Sequence, residues 1–417
     1  MTASVAPPEP SLLPRTIGRY TLFDKIGRGG MADIFLAQAQ TDIGVSRLVV
    51  VKQVLPHLAD SREFSELLIM EAKLAARLDH ANIVQVHDLG RADGFLYIAM
   101  QYVEGFDLND LLRRCSRTKT ALPVQYVLLV VIEALRALDY AHRKTSDDGA
   151  PLGIVHRDVS PSNLLISFEG EVKLCDFGIA HANDAAPNGA YSEDVIKGKA
   201  GYMSPEQASG HPLDGRADVF AVGIVLWELL SGRRLYKTAP ELPSLLDQAR
   251  AAQVPDLVSR GLPVEEKLFA IVKRALAPNR IQRYANAQAM LVDLEHYVAE
   301  SKLIASPLRF GEWLIDRFGE DLIHQRRERE RAVHRLDAGA QAEVVAEMGP
   351  PPSARRPFVP SDAPLAAAAG NDAGSVDVPF AHFATAAERS SSRAWKFFAG
   401  VALVVIGGAI AYSMAMR

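Results

Sequence analysis

The chain has 417 residues, of which 48% are hydrophobic and 23% are charged, enough for a large core and a two-lobed domain with accessory segments. The formal net charge of −4 shows no basic excess, so composition does not indicate a nucleic-acid partner. The two cysteines, Cys115 and Cys175, lack metal-ligand spacing and a disulfide framework, which is typical of a reducing compartment. Residues 1–18 have no continuous apolar stretch behind a basic start, so we expect a flexible N-terminal arm and no secretory signal.

The pattern of apolar residues changes once along the chain. From Tyr20 to about Tyr102 alternating apolar runs predict strands, interrupted by one helix over 62–78. From Leu108 onward the apolar spacing becomes helical. Helices are predicted over 124–143, 214–232, 265–277 and 286–300, and a β-hairpin over 164–168 and 171–175. The fold class is therefore α+β, with a β-rich unit followed by a helical unit, together spanning residues 19–298.

Two further segments follow this domain. Residues 299–337 are predicted to form a helical extension, which contains an aromatic amphipathic stretch and the charge-dense run at 326–331. This pattern favours a solvated helix, with a partner-binding helix as the alternative. Residues 338–394 are rich in Ala, Pro and Ser and cannot bury enough apolar surface to offset the entropy of ordering, so we expect a disordered linker.

The first chemical signal is the run I-G-R-G-G-M-A-D-I at 26–34, a Gly-rich turn between two strand-like segments. Such a turn lets the backbone approach phosphates without obstruction by side chains. The candidate nucleotide-binding residues are Ile26, Gly27, Arg28, Gly29, Gly30 and Ile34. Ala32 stands where a third glycine is expected and Asp33 follows it, so an ordinary hairpin turn is the alternative.

Lys52, in the strand-like run V-V-V-K-Q-V, is a candidate to pair with the α- and β-phosphates of a nucleotide. The alternative is an ordinary surface lysine. Glu71, on the predicted helix 62–78, is the acid expected to hold this lysine, because it lies in the apolar stretch L-L-I-M-E-A-K-L-A. Glu63 and Glu66 are nearby competitors for that role.

The decisive signal is H-R-D-V-S-P-S-N at 156–163 followed by D-F-G at 176–178. In this arrangement Asp158 accepts the proton of a substrate hydroxyl, while Asn163 and Asp176 supply oxygen ligands to a Mg²⁺ ion that bridges the phosphates. Phosphoryl transfer requires that charge be neutralised and the hydroxyl be placed in line, so carboxylates and an amide should converge on one metal site.

Residues 20–298 resemble the eukaryotic-type protein kinases, particularly the bacterial Hanks-type serine/threonine kinases. The similarity continues through Y-M-S-P-E at 202–206, through the apolar run at 218–232, and to Arg283. The resemblance implies a bilobal fold that holds ATP in the cleft between the lobes. It also implies transfer of the γ-phosphate of ATP to serine or threonine hydroxyls of protein substrates, with Mg²⁺ as cofactor and with autophosphorylation.

The resemblance also implies roles for individual residues. Met100 is the expected gatekeeper, and the hinge Gln101 to Val103, including the candidate binding residues Gln101 and Val103, would hold adenine. Asp107 would lie near the ribose. The structural supports are expected to be a Glu206–Arg283 pair and Asp218, which would brace the catalytic loop.

The chain departs from the family pattern at two positions near the chemistry. Ser160 stands where serine/threonine kinases usually carry a lysine that stabilises the transferring phosphate, and Lys199 stands where they usually carry a threonine. Ser162 stands where tyrosine kinases place an arginine, so the local pattern does not indicate tyrosine specificity either. We hypothesise that Lys199 reaches toward Asp158 and Ser160 and restores the missing charge; contact with acidic substrate or solvent is the alternative.

Control of activity is expected in the activation segment, 179–203. Arg157 precedes the catalytic aspartate, and an arginine in this position is a ready receptor for a phosphate. The segment contains Tyr191 and Ser192 but no threonine, so autophosphorylation at Ser192 is a hypothesis. Glu193 or Asp194 could instead supply a permanent negative charge.

Residues 397–416 are twenty positions without a charge, about the length that spans a bilayer core as a helix. Trp395 is a candidate interfacial aromatic residue. The basic residues that precede the span are Arg389, Arg393 and Lys396. We therefore expect a single-pass anchor over 395–417 that holds the kinase domain on the cytoplasmic side of the cytoplasmic membrane. The alternative is a buried helix of the soluble domain.

Gly407 and Ala411 form a small-xxx-small pair that could favour self-association in the membrane, although the pattern is common.

Three functions remain open at this point. An active protein kinase is the first hypothesis, and a nucleotide-binding pseudokinase that acts as a membrane scaffold is its rival because of Ser160 and Ala32. A small-molecule kinase of related fold is the third, disfavoured by the S-P-E run, which in the family belongs to a peptide-binding platform.

Overall fold

An antiparallel sheet forms the first lobe, because the segments from Arg15 to Gln101 are rich in β-branched and aromatic residues that alternate with polar ones. The computed structural model describes residues 13–39, 47–59, 61–177, 200–238 and 241–348. The sheet strands are β1 (Arg15–Ile17), β2 (Tyr20–Arg28), β3 (Ala32–Ala39), β4 (Arg47–Val54), β5 (Val86–Ala92) and β6 (Phe95–Gln101). Their order in the sheet is β1-β2-β3-β4-β6-β5.

Strand β1 corrects one prediction. It lies inside 1–18, the range predicted as a flexible arm, and it pairs with β2 through Ile17 and Tyr20. Ile17 is fully buried in a hydrophobic cluster with Leu22 and Phe35. Burial of these apolar side chains offsets the entropy of ordering the segment, so the folded domain begins before the predicted boundary.

One helix packs against the opposite face of this sheet. After a single turn, α1 (Pro56–Ala59), the helix α2 (Arg62–Ala75) begins at Ser61, whose Oγ accepts a hydrogen bond from Phe64 N at 3.3 Å. Phe64, Leu68 and Ala72 recur every four residues and are buried against the sheet. The helix predicted over 62–78 is therefore confirmed, with an earlier end.

The second lobe is helical. Its first helices are α3 (Leu108–Arg117), α4 (Val124–His142), α5 (Pro205–Ala208) and α6 (Gly215–Ser231). They are followed by α7 (Leu245–Ala251), α8 (Glu265–Ala275) and α9 (Ala287–Ser301). Helices α4 and α6 form the centre, and α6 is apolar on nearly all sides, as expected for a fully buried helix. Gly232 ends α6 in the left-handed conformation at φ 72°. The four long helices predicted in this lobe are confirmed to within two residues at each end.

A small sheet carries the loops of the second lobe. It consists of β7 (Gly105–Asp107), β8 (Leu164–Ser167) and β9 (Val172–Leu174), paired antiparallel in that order. Strands β8 and β9 are the predicted hairpin, and its turn contains Gly170 at φ 82°. Asn163 immediately precedes β8 and Asp176 follows β9, so the hairpin brings the ends of the two sequence motifs together.

The long helix α10 (Pro307–Met348), called the extension helix below, corrects two further predictions. It continues beyond 337 into the range predicted as linker. Phe310, Leu314, Phe318 and Leu322 are buried against the second lobe, so this part is not a solvated helix. These four residues recur every four positions and form an apolar stripe that gains stability by covering the domain.

The predicted membrane segment cannot be compared with the structure. Among the described residues no helix is both long enough and apolar enough to cross a bilayer. The run 397–416 and the predicted linker after Met348 lie outside the described residues.

Candidate active site

Lys52 lies in the middle of β4 and projects toward the cleft between the lobes. Its Nζ donates a hydrogen bond to Asp176 Oδ1 at 2.9 Å. Burial lowers the pKa of Lys52, but the charge and the hydrogen bond of the Asp176 carboxylate outweigh burial and raise that pKa above its ordinary value. The Lys52 side chain therefore carries a positive charge near neutral pH. Its hydrogen bond joins two of the predicted site residues, Lys52 and Asp176, directly.

The catalytic loop holds Asp158 and Asn163 together. Asn163 Nδ2 donates to the Asp158 carbonyl oxygen at 2.7 Å, which leaves the amide oxygen as the side-chain atom that can ligate a cation. Cys175 N donates to the Asn163 carbonyl oxygen at 3.0 Å, so the residue before Asp176 is bonded to the loop. The two predicted metal ligands therefore belong to neighbouring, hydrogen-bonded backbone segments.

Two residues of these loops have a strained backbone. Arg157 has φ 66° and Asp176 has φ 60°, in the left-handed region that non-glycine residues rarely adopt. Each such residue costs about 1 kcal/mol or more and persists only where its surroundings hold it. Here Arg157 N donates to Asp218 Oδ1 at 2.8 Å, one of the bonds that hold the loop. Backbone strain flanking Asp158 is typical of an active site.

The Gly-rich turn closes over a small cavity of about 190 Å³. Gly29 N donates to the Ala32 carbonyl oxygen at 2.8 Å, which makes a tight connection between β2 and β3. The polar side chains that line this cavity are Lys52, Asp158, Asn163 and Asp176, and Gly29 and Gly30 line it from above. The structure thus brings together residues from four separate sequence motifs around one space.

A larger cavity of about 480 Å³ lies beside it. Ile26, Ile34, Val84, Met100 and Leu165 are among its apolar walls. The predicted hinge and ribose residues Gln101, Val103 and Asp107 also line it, as do Lys52 and Asp176 at its inner end. An apolar slot with a few charged groups at one end is the usual form of a small-molecule site.

The sequence pattern that defines the protein kinase domain matches residues 20–294. The chain belongs to the protein kinase family. The match agrees with the two-lobed fold, the interlobe cleft and the residues gathered in it, and nearly coincides with the predicted domain 19–298.

Several known proteins are similar to this kinase domain. Tyrosine-protein kinase MasK of Myxococcus xanthus is 41% identical over 310 residues, covering 74% of this chain and 47% of that protein. Probable serine/threonine-protein kinase PknB of Bifidobacterium longum is 36% identical over 294 residues, covering 67% of this chain and 40% of that protein. The PknI kinase domain of Mycobacterium tuberculosis has a TM-score of 0.52 at 29% identity, covering 69% of this chain and 99% of that chain. The chain thus spans less than half the length of these two curated relatives.

Asp218, on helix α6 of the kinase domain, is the centre of the support beneath the catalytic loop. Its carboxylate accepts hydrogen bonds at 2.8 Å from the backbone nitrogens of His156 and Arg157. His142 Nε2 lies 2.8 Å from Asp218 Oδ2. Burial opposes the charge of Asp218, but the hydrogen bond from His142 and the charges nearby hold the pKa of Asp218 below its ordinary value. The predicted bracing role of Asp218 is confirmed.

The predicted Glu206–Arg283 pair is also confirmed. Arg283 Nη1 and Nη2 donate to the two carboxylate oxygens of Glu206 at 2.6 and 2.8 Å. The Arg283 side chain is fully buried. Burial raises the pKa of Glu206, but the hydrogen bonds from Arg283 outweigh burial and lower that pKa below its ordinary value. A bidentate buried pair of this kind fixes α5 to the rest of the second lobe.

Asp158 also lines a wide groove of about 860 Å³. Ser160 and Ser162 line it, and so do the basic residues Arg234 and Lys237. Arg234 Nη1 donates to Glu228 Oε2 at 3.0 Å, and the Tyr202 hydroxyl donates to the same oxygen at 2.7 Å. The groove therefore connects Asp158 with the surface.

Some predicted site residues are placed differently or lie outside the description. Gly27 and Arg28, both described, line neither nucleotide cavity; Arg28 pairs with Asp33 at 3.5 Å. Glu71 lies on α2, but its side chain is outside the described side chains, so its pairing with Lys52 stays a prediction. Lys199 lies outside the described residues, as do most of the activation segment and Gly178 of the D-F-G motif.

Sequence reasoning missed several residues of the larger cavity. The charged ones among them, which belong to no predicted motif, are Asp24, Asp110, Glu328 and Arg329. Asp24 lies two residues before the Gly-rich run and could have been found from its place on β2. Glu328 and Arg329 lie in the charge-dense run of the extension helix, which was predicted to be solvated.

Proposed function

We propose that this chain transfers the γ-phosphoryl group of ATP to serine and threonine hydroxyls of proteins, including its own, while anchored to the cytoplasmic membrane. The observation that carries the proposal is the meeting of Lys52, Asp158, Asn163 and Asp176 around the cavity beneath the Gly-rich turn. Membership of the protein kinase family and the serine/threonine kinases among its relatives support the reaction.

The residues present fit a nucleotide with magnesium. The larger cavity offers apolar walls for a planar base, and Lys52 at its inner end offers a cation for phosphates. Asp176 and Asn163 offer a carboxylate and an amide oxygen, the hard donors that Mg²⁺ takes, usually from one or two side chains together with substrate phosphates. Bound magnesium would neutralise charge that develops on the phosphates during transfer.

Each of the four polar residues around the small cavity would have a defined part in this reaction. Lys52 would hold the phosphates, and Asn163 and Asp176 would hold the metal from two adjoining backbone segments. Asp158, which lines both the small cavity and the wide groove, would orient the substrate hydroxyl and accept its proton. The cavity and the groove would therefore bring the two substrates to one carboxylate.

A second candidate specificity is tyrosine, because a relative 41% identical over 310 residues is named a tyrosine-protein kinase. The full chain should be incubated with γ-labelled ATP, Mg²⁺ and a generic protein acceptor, and the labelled products hydrolysed to phosphoamino acids. We expect phosphoserine and phosphothreonine. Phosphotyrosine alone would favour the second candidate, and nucleotide binding without any transferred label would favour the pseudokinase scaffold.

We also propose that Lys199 supplies the charge that Ser160 lacks. Ser160 lines the groove beside Asp158, so the position usually taken by lysine holds a neutral side chain. Losing such a charge would cost on the order of 10²-fold in rate. Lys199→Ala should therefore slow autophosphorylation by about that factor, and a wild-type rate in this variant would show that the charge comes from elsewhere.

The membrane part of the proposal rests on the uncharged run 397–416 and the basic residues before it. The full chain should sediment with membranes and resist extraction at high salt, whereas a chain that ends at residue 394 should not. Protease added to intact cells should leave the kinase domain uncut if it faces the cytoplasm. Self-association through Gly407 and Ala411 would appear as cross-linking that is lost in a Gly407→Leu variant.

A further inference from the structure

The extension helix is seated on the second lobe by close contacts. Phe310 stacks on Tyr126 with ring centroids 4.7 Å apart, and the Tyr126 hydroxyl donates to the Arg309 carbonyl oxygen at 2.9 Å. A Cβ atom added to Gly170 would lie 1.8 Å from the Pro307 carbonyl oxygen, and one on Gly311 would lie 2.7 Å from the Glu169 carbonyl carbon. The turn of the β8–β9 hairpin and the start of the helix therefore fit together only without side chains.

From this seat the helix runs to the hinge. Phe318, where the helix kinks at φ −133°, packs edge-on against Phe106, with ring centroids 6.0 Å apart. Further along, Arg326 Nη2 donates to Glu104 Oε2 at 2.8 Å, and Arg329 Nη2 donates to Glu104 Oε1. Two arginines one helical turn apart thus converge on one carboxylate next to the hinge.

Arg329 also contacts the hinge itself. Its guanidinium carbon lies 5.3 Å from the centroid of the Tyr102 ring, within the range of a cation–π interaction. The Arg329 side chain is only 13% exposed, unlike that of Arg326 at 54%. The extension helix contacts β2 of the first lobe as well. It therefore touches both lobes and the connection between them.

The same turn of the helix forms part of the larger cavity. Glu328 and Arg329 line the space that Lys52 and Asp176 line from its inner end. The cavity keeps about 480 Å³ with the helix in place, within the roughly 300–1,000 Å³ typical of small-molecule sites. The helix is thus a wall of the cavity and leaves room for a nucleotide.

We propose that the extension helix is a strap that completes the nucleotide site, with Arg329 as a positioning residue that fixes the hinge through Glu104 and Tyr102. This deepens the proposed function and rests on it, since the cavity must hold a nucleotide. The kinase domain would then bind ATP well only when residues 307–331 are docked. Displacing the helix from the hinge would lower nucleotide affinity and leave the chemistry around Asp158 intact.

The test uses the full chain and measures binding of the non-hydrolysable analogue AMP-PNP with Mg²⁺ by calorimetry, together with kcat and KM for ATP. For Arg326→Ala/Arg329→Ala we expect a dissociation constant and KM about tenfold higher, as for loss of charge-assisted hydrogen bonds that preorganise a site. The expected change in kcat is within about twofold, because the metal and proton-accepting residues are untouched. Arg329→Lys keeps the charge but not the planar guanidinium group. Its dissociation constant and KM should therefore lie between those of the wild type and the double variant.

Arg327→Ala is the matched control, because Arg327 is exposed on the same helical turn and lines neither nucleotide cavity. Melting curves establish that each variant is folded. Unchanged or tighter analogue binding in the double variant, or an equal loss in Arg327→Ala, would overturn the strap. If the wild-type chain binds no nucleotide, the proposed function fails with it. If wild type binds and phosphorylates normally but the double variant equals it, only the strap fails.

Discussion

Two parts of the chain position the candidate active site by different physical means. The support beneath the catalytic loop is buried: Asp218 is 1% exposed and His156 is 0% exposed. The strap at the hinge uses partly exposed ion pairs, in which the Glu104 side chain is 26% exposed. Buried charges that lose a partner are strongly destabilising, whereas exposed pairs are weak and are screened by salt. The chemistry is therefore held by contacts that are costly to break, and the nucleotide side by contacts that can be adjusted.

The largest effect is expected at Asp176, the proposed metal ligand, which pairs with Lys52. Asp176→Asn removes the carboxylate that pairs with Lys52 and would hold Mg²⁺, so phosphotransfer should fall on the order of 10³-fold. Rates measured across a Mg²⁺ titration check this. A variant that keeps the wild-type rate at saturating Mg²⁺ would show that Asp176 is not a metal ligand. Chelation of divalent metal should abolish transfer by the wild-type chain.

The next effect concerns the buried Glu206–Arg283 pair. Glu206→Gln leaves the buried Arg283 without a counter-charge and should lower the free energy of unfolding at pH 7 by about 3 kcal/mol. Glu300→Gln, which breaks an exposed pair with Lys267, is the control and should change that free energy by less than about 1 kcal/mol. Urea denaturation measures both. If both variants lowered the unfolding free energy by the same small amount, the expected difference between buried and exposed ion pairs would be contradicted.

The stabilisation by the Glu206–Arg283 pair should depend on pH. Because the pKa of Glu206 in the folded chain lies below its ordinary value of 4.5, the stabilisation by the pair is present above that pH. It is lost as the pH falls through the lower folded-state pKa. The difference in unfolding free energy between wild type and Glu206→Gln should therefore be largest near neutral pH and shrink on acidification. If the difference in unfolding free energy grew as the pH fell, the lowered pKa of Glu206 would be contradicted.

The apolar contacts that dock the extension helix should contribute less free energy than the buried Glu206–Arg283 pair. Leu314→Ala creates a cavity where the extension helix meets the second lobe and should cost about 2 kcal/mol of docking free energy. Leu308→Ala, on the same helix but 70% exposed, is the matched control and should cost less than about 0.5 kcal/mol. Hydrogen exchange of residues 307–331 reports helix docking. Equal protection in the two variants would show that the apolar stripe does not hold the helix.

The catalytic residues and the extension helix differ in how much of their structure the sequence predicts. The structure brings Lys52, Asp158, Asn163 and Asp176 together around one cavity, as the characteristic spacing of their motifs predicts. The partner of Lys52 in the structure is Asp176, which no spacing rule indicates, since the two lie on different lobes. Contacts of that kind depend on how the lobes are closed.

The strap was not predicted, for a physical reason. Phe310, Leu314, Phe318 and Leu322 recur every four residues and indicate a covered helix face, but a periodic stripe does not name the surface that covers it. The contact between Arg329 and Glu104 joins residues more than two hundred positions apart. A run of arginines and glutamates is compatible with solvent, and only the packed lobe shows that two of its arginines meet the hinge.

The smallest effect is expected at the edge of the strap. Arg114 pairs with Asp321 of the extension helix but also with Asp110 at 2.8 Å, so it keeps a partner when Asp321 is removed. Asp321→Ala should change the unfolding free energy by less than about 1 kcal/mol, and by less still at high salt. A loss as large as that of Leu314→Ala would mean that charge, and not the apolar stripe, holds the helix.

The most direct test of the account is the rate of phosphotransfer by the full chain compared with Asp158→Asn across an ATP titration. If Asp158 accepts the hydroxyl proton, kcat should fall by at least about 10²-fold while the affinity for nucleotide stays within about twofold of wild type. A variant that transfers phosphate at a rate near that of wild type would contradict the assignment of the catalytic centre.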